Sequence, residues 1–154
     1  MLFRSNVGWA VAVASALSAR ENLSEGDIAL TRAARDQFVA ELQRAIPSAK
    51  LTGPDLDADR HPASASFVFP GINGETLLLE LDANGVTCSS GSACAAGSNE
   101  PSHVLLALGL EPEVATTAVR FSLSHSTTPE KLSQAAQIVA RVHEKLTKIG
   151  RAHV

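Results

Sequence analysis

Two stretches of strict two-residue alternation constrain the fold of this chain more than any other feature. Ala65, Phe67 and Phe69 alternate with Ser64, Ser66 and Val68 before Pro70-Gly71 ends the run, and Val119, Phe121 and Leu123 alternate with Arg120, Ser122 and Ser124. Successive side chains of an extended chain point to opposite faces, so each run predicts a half-buried strand with one apolar face. Arg120 then points away from the apolar side of its strand. The segments around these runs carry helical periodicity instead. The predicted order is two helices, then strand, strand, helix, strand, helix, strand, helix. That mixture contains no βαβ alternation long enough for a doubly wound sheet, so the fold class is α+β, with helices packed on a short, mostly antiparallel sheet and two helices in front.

The helical segments are bounded by recognisable end signals. Val7 to Leu17, rich in Ala and Val, follows Arg4 in a pattern that mimics a signal peptide, but Asn6, Gly8 and Trp9 interrupt it, and the stretch predicts a buried helix too short to span a bilayer. Ser24 with Asp27 forms a capping box, and Ile28, Leu30, Ala34, Phe38 and Leu42 give an apolar helical face over 25–46. The Gly, Pro and Asp residues between Lys50 and Pro62 mark a turn-rich link, with a short strand at 49–52.

Asn73 caps a helix carrying Leu77, Leu78 and Leu81 that stops at Asn84-Gly85, after which Val86 to Cys88 begins a strand. Ser89 to Asn99 lacks periodicity and bulk, which predicts a mobile surface loop. Pro101 and Gly109 frame a short helix with Val104, Leu105 and Leu108 as its buried face, and Glu111-Pro112-Glu113 starts another. Thr128-Pro129 caps a last helix with Leu132, Ala135, Ala136, Val139, Val142 and Leu146 at helical spacing. No repeat or second boundary interrupts the chain. It reads as a single domain over 1–154, with a helical linker region at 1–47 and a small α+β domain at 48–150 that carries the cysteine loop at 89–99.

Composition excludes several function classes. With 45% hydrophobic residues in 154, the chain can bury a genuine core. A net charge of −3 without any Lys/Arg cluster predicts neither nucleic acid nor an anionic membrane as partner. Two cysteines, Cys88 and Cys94, do not make a disulfide framework, so a reducing cytoplasm is the default compartment. Their spacing and the absence of a second ligand pair predict no metal site.

Two residues remain as candidates for chemistry. Cys94 follows Ser89, Ser90, Gly91, Ser92 and Ala93, whose small side chains leave a thiol accessible on a backbone able to swing. Such a thiol suits a nucleophile, and equally an inert loop cysteine. Arg120 shares its strand face with hydroxyl residues, which suits bidentate carboxylate recognition, but the residues alone favour a surface arginine paired with Asp or Glu, since most surface charges are solvated. His61, His103, His125, His143 and His153 share no metal-ligand spacing and read as surface residues.

The segments FVFPGINGETLLLELDANGVTCSSGSACAAGSNEPSHVLLALGL and VRFSLSHSTTPEKL resemble the C-terminal region of cysteine desulfurases of the class V aminotransferase group, pyridoxal-phosphate enzymes of fold type I. The resemblance implies Cys94 as the catalytic, persulfide-forming nucleophile, Arg120 as the group that binds the substrate carboxylate, and Thr127 and Thr128 at the following helix cap. It extends upstream through Asn6-Val7-Gly8. Asn99 before Glu100 and Ser124 after the RFSL run depart from the family pattern.

The implied reaction moves sulfur from L-cysteine onto Cys94, leaving alanine, and then to an acceptor such as an iron–sulfur scaffold, a sulfur-carrier protein or a thiamine or tRNA pathway. The full enzyme is implied to be a homodimer using pyridoxal 5'-phosphate. The family's cofactor lysine in its Ser-x-His-Lys setting has no counterpart around Lys50, Lys131, Lys145 or Lys148, so no cofactor-binding residue is expected on this chain. The implied identity is therefore the C-terminal part of a desulfurase, against the alternatives of a stand-alone sulfur-relay or regulatory module and an inactive truncated fragment.

Overall fold

In the computed structural model, which describes residues 6–22, 24–90, 100–124 and 126–152, the two alternating runs pair with each other. Strand β2 (Ser64–Val68) lies antiparallel to β4 (Ala118–Ser122), with Ser66 opposite Arg120 and Phe67 opposite Val119. Two short strands complete the sheet: β1 (Lys50–Leu51) on β2 and β3 (Ser89–Ser90) on β4, in the order β1-β2-β4-β3, with every pairing antiparallel.

The apolar face of this sheet is covered by three helices: α2 (Glu25–Ala45), α3 (Gly74–Ala83) and α6 (Pro129–Ala152). Ala65, Phe67, Val119 and Phe121 pack there against Phe38, Val39 and Leu42 of α2, Leu77 and Leu81 of α3, and Leu132, Ala136, Val139 and Val142 of α6. Phe38 meets Phe121 edge-on, with ring centroids 5.2 Å apart. The helix ends follow the local chemistry of the sequence. Ser24 and Asp27 complete the capping box of α2, Asn73 accepts from the Thr76 amide to start α3, and Gly85 adopts a φ of 81° beyond its end.

On the opposite face a smaller cluster forms. Leu105 of α4 (His103–Ala107) and Ala115 of α5 (Pro112–Ala115) cover Val68 and Ala118. Val68, at a polar-phase position of the alternation, is therefore buried, because this end of the sheet is covered on both sides.

Several expectations need correction. Helix α1 (Val7–Glu21) forms, with Asn6 accepting from the Trp9 amide, but none of its residues is buried. The sheet's apolar face is already occupied by α2, α3 and α6. Ile28 and Leu30 are likewise exposed, so α2 reaches the core only from Ala34 onward, through Phe38, Val39 and Leu42. Val86 to Cys88 is not a strand. The Val86 amide donates to the Leu81 carbonyl to close α3, which takes it out of any ladder, and pairing begins only at Ser89.

Ser89 and Ser90 thus belong to the sheet rather than to a loop, while the rest of the predicted loop, 91–99, lies outside the described residues. Pro101 precedes the N-cap Ser102 of α4. A five-residue helix turns only Leu105 inward and leaves Val104 and Leu108 exposed.

Sequence periodicity gave no sign of two buried arginines that fasten the turn-rich link. Arg35, fully buried on α2, donates from Nε to Asp36 and from Nη1 to the His61 carbonyl at 2.9 Å. Arg60 folds back inside the link and donates to the Pro54 carbonyl at 2.9 Å and to the Thr52 carbonyl at 2.6 Å. Among the described residues no helix is long and apolar enough to cross a membrane.

Candidate functional site

Arg120 sits in the middle of β4, half-buried, on the face opposite the aromatic core. The register places a serine on each side of it, Ser66 across β2 and Ser89 across β3. One step further, the Thr52 amide donates to the Ser66 carbonyl at 2.8 Å, continuing the β1–β2 pairing, and the Thr52 hydroxyl donates to the same oxygen at 3.1 Å. Thr52, Ser66, Arg120 and Ser89 therefore form one row across the whole sheet. Arg60 holds its outer end through the Thr52 carbonyl.

This row lies between a dry end and a wet end. On one side Val68 and Ala118 are sealed by Leu105 and Ala115, and on the other Ser64 is half-buried and Ser122 exposed. Ion pairs join Arg35 to Asp36, Lys145 to Glu80 and Lys148 to Glu144, and Arg120 takes part in none of these. A half-buried guanidinium with a serine opposite it on each neighbouring strand is an arrangement that can accept a carboxylate.

The other sequence candidates are placed as follows. Cys94 lies outside the described residues, six positions beyond Cys88. Cys88 is half-buried against the main core, where burial first and the Asp82 carboxylate second push its thiol up to about 11. It is a protonated, packed thiol at neutral pH. Thr127 donates no structure to the Arg120 row. Its hydroxyl accepts from the Ser124 amide at 3.0 Å, and Thr128 accepts from the Lys131 amide at the start of α6. His143, read as a surface residue, is half-buried with its ring 6.0 Å from that of Phe69, and burial lowers its pKa.

A pyridoxal phosphate linkage requires an amine that can become neutral in a shielded site. Lys50 and Lys131 are exposed, Lys145 pairs with Glu80 at 2.8 Å and Lys148 with Glu144 at 2.6 Å. Solvated or carboxylate-paired ammonium groups do not meet that requirement, so these lysines do not fit the cofactor. Sequence reasoning singled out Arg120 but not the row it shares with Thr52, Ser66 and Ser89. The polar phase of the two alternating runs was a signal for Ser66, but which serine faces Arg120 is fixed only by the pairing register.

The aminotransferase class-V family model matches residues 5–134. A cysteine desulfurase IscS of Clostridium botulinum is 40% identical over 124 residues, covering 80% of this chain and 31% of the relative. The cysteine desulfurase NifS of Azotobacter vinelandii is 37% identical over 147 residues, covering 95% of this chain and 35% of the relative. A solved NifS-like protein superposes with a TM-score of 0.65 at 25% identity, covering 79% of this chain and 29% of that one. Another, from Rickettsia africae, gives a TM-score of 0.66 at 19% identity over 78% of this chain and 30% of that one, a likeness of fold. The chain thus spans about a third of the length of the curated relatives it matches.

Proposed function

The chain belongs to the aminotransferase class-V family, and from that premise we propose that it is the C-terminal part of a cysteine desulfurase, one domain that binds the carboxylate of L-cysteine and accepts its sulfur. The observation that carries this reading is the position of Arg120, half-buried, outside the ion pairs of Arg35, Lys145 and Lys148 and with a serine opposite it on each neighbouring strand. Its planar fork matches the two oxygens of an amino-acid carboxylate.

Cys94 is the sulfur acceptor. A sulfur–sulfur bond to Cys94 forms as the carbon–sulfur bond of L-cysteine breaks, giving a persulfide and alanine. Activation of that carbon–sulfur bond is the work of pyridoxal phosphate in this family, and it falls to residues other than the lysines of this chain. The persulfide then passes to an acceptor protein such as an iron–sulfur scaffold. The reading includes a homodimeric full enzyme in a reducing, cytoplasmic compartment, consistent with Cys88 being a free thiol.

The test combines this chain with the complementary portion of a matched relative, the stretch it does not span, and supplies L-cysteine with pyridoxal phosphate. Alanine release together with a persulfide on Cys94 is expected, both lost in Cys94→Ser, while Arg120→Ala raises KM for L-cysteine. Alanine release undiminished by Cys94→Ser and Arg120→Ala would overturn the proposal. Persulfide appearing on Cys94 of the isolated chain after exposure to an intact desulfurase would instead support a stand-alone relay.

A further inference from the structure

A charge at the boundary between a sealed and a solvated patch is ordinarily matched by an internal counter-ion. Around Arg120 the sheet supplies the opposite. Its two directly opposed neighbours, Ser66 and Ser89, carry the shortest hydroxyl side chains, and both are half-buried beside it. Directly opposed residues in an antiparallel pair bring their Cβ atoms to about 5 Å, so an Asp or Glu at either position would reach the guanidinium and neutralise it. A Val or Leu there would cover the fork instead.

The serine on the β2 side is also held rigidly. Its carbonyl takes both the amide and the hydroxyl of Thr52, whose own carbonyl is bound by Arg60. We infer that Ser66 and Ser89 are positioning residues of this site, keeping the Arg120 fork open and free of an internal counter-ion while adding a hydroxyl on each flank for the carboxylate of a small amino acid. The inference rests on the carboxylate-binding reading of Arg120 and adds the pair that flanks it.

The experiment follows the Arg120 Nε–Hε resonance of the isotope-labelled chain, identified by its loss in Arg120→Lys, during titration with L-alanine. Wild type shifts saturably. Ser66→Ala and Ser89→Ala each weaken the response about tenfold, the size expected for losing one hydrogen bond to a charged group. Ser66→Thr and Ser89→Thr, which keep the hydroxyl, restore it. Ser66→Asp abolishes the titration and moves the ligand-free resonance to the bound position.

Ser89→Ala, on an edge strand, carries the comparison if the central-strand variant unfolds. Serine variants that titrate like wild type overturn the positioning role while leaving Arg120 as a carboxylate site. Absence of a saturable shift in wild type overturns the Arg120 reading and the inference with it.

Discussion

Cys88 and Cys94 offer two thiols six positions apart, and differential alkylation at a pH of about 8 separates them. With its thiol pushed up to about 11, Cys88 is ionised to roughly one part in a thousand at that pH. A solvent-accessible thiol, which the sequence leads one to expect of Cys94, is ionised to roughly one quarter at the ordinary value of about 8.5, and on that expectation it holds an advantage of about 250-fold. The more basic thiolate is intrinsically the better nucleophile, and a Brønsted slope of about 0.45 over the difference returns roughly 13-fold to Cys88. The net preference is about 20-fold for Cys94, and the half-burial of Cys88 enlarges it.

Limiting iodoacetamide followed by peptide mass spectrometry reads the ratio directly, and in urea the two sites should label alike. The Cys88 rate should also climb about tenfold per pH unit well past the point where that of Cys94 levels off. Equal labelling in the folded chain, or a Cys88 profile that levels near the ordinary thiol value, would refute the reasoning and leave Cys88 as a rival sulfur acceptor.

Two further predictions concern the scaffold beneath the row. A Cβ at Gly74 would lie 2.5 Å from the Thr116 carbonyl oxygen and 3.2 Å from the Thr117 Cα, both backbone atoms that cannot rotate aside. Gly74→Ala should therefore destabilise by about 1–3 kcal/mol despite the better helix former, and a urea midpoint at or above wild type would contradict it. His143 has its pKa lowered from 6.5 by burial beside Phe69, so its unfolded form binds the proton more readily. Its contribution to stability is full above about 6.5 and is lost as pH falls from there through the folded value. His143→Gln should flatten that part of a thermal-stability profile against pH, and an unchanged acid slope would sink the assignment.

Much of the fold was legible because its signals are local. The phase of Ala65, Phe67, Val119 and Phe121 marks the buried face, Asn73 and Gly85 bracket α3 by their own backbone chemistry, and the stripe from Leu132 to Val142 states which side of α6 is covered. What failed depended on what packs against what. The apolar stretch from Val7 to Leu17 predicts burial from hydrophobicity alone, yet no position in α1 is buried, because apolarity reports a preference and not the presence of a partner surface. Val68 erred in the other direction, since two short helices distant in sequence arrive to cover it.

The candidate site shows the same division more sharply. The residue type of Arg120 and its face were readable from alternation, whereas its neighbours were not. A shift of one residue in register turns every side chain of a strand to the opposite face, and a shift of two would keep the faces but set Ser64 or Val68, instead of Ser66, opposite the guanidinium. The present register is selected by the aromatic side of the sheet, where Phe67 meets Val119 and Ala65 meets Phe121 within one packed core. The hydrophobic face thus chooses which hydroxyls stand beside Arg120. Core substitutions that shift the pairing should disturb the carboxylate recognition proposed for Arg120, read as a weakened L-alanine response of its Nε–Hε resonance, without touching a single residue of the row.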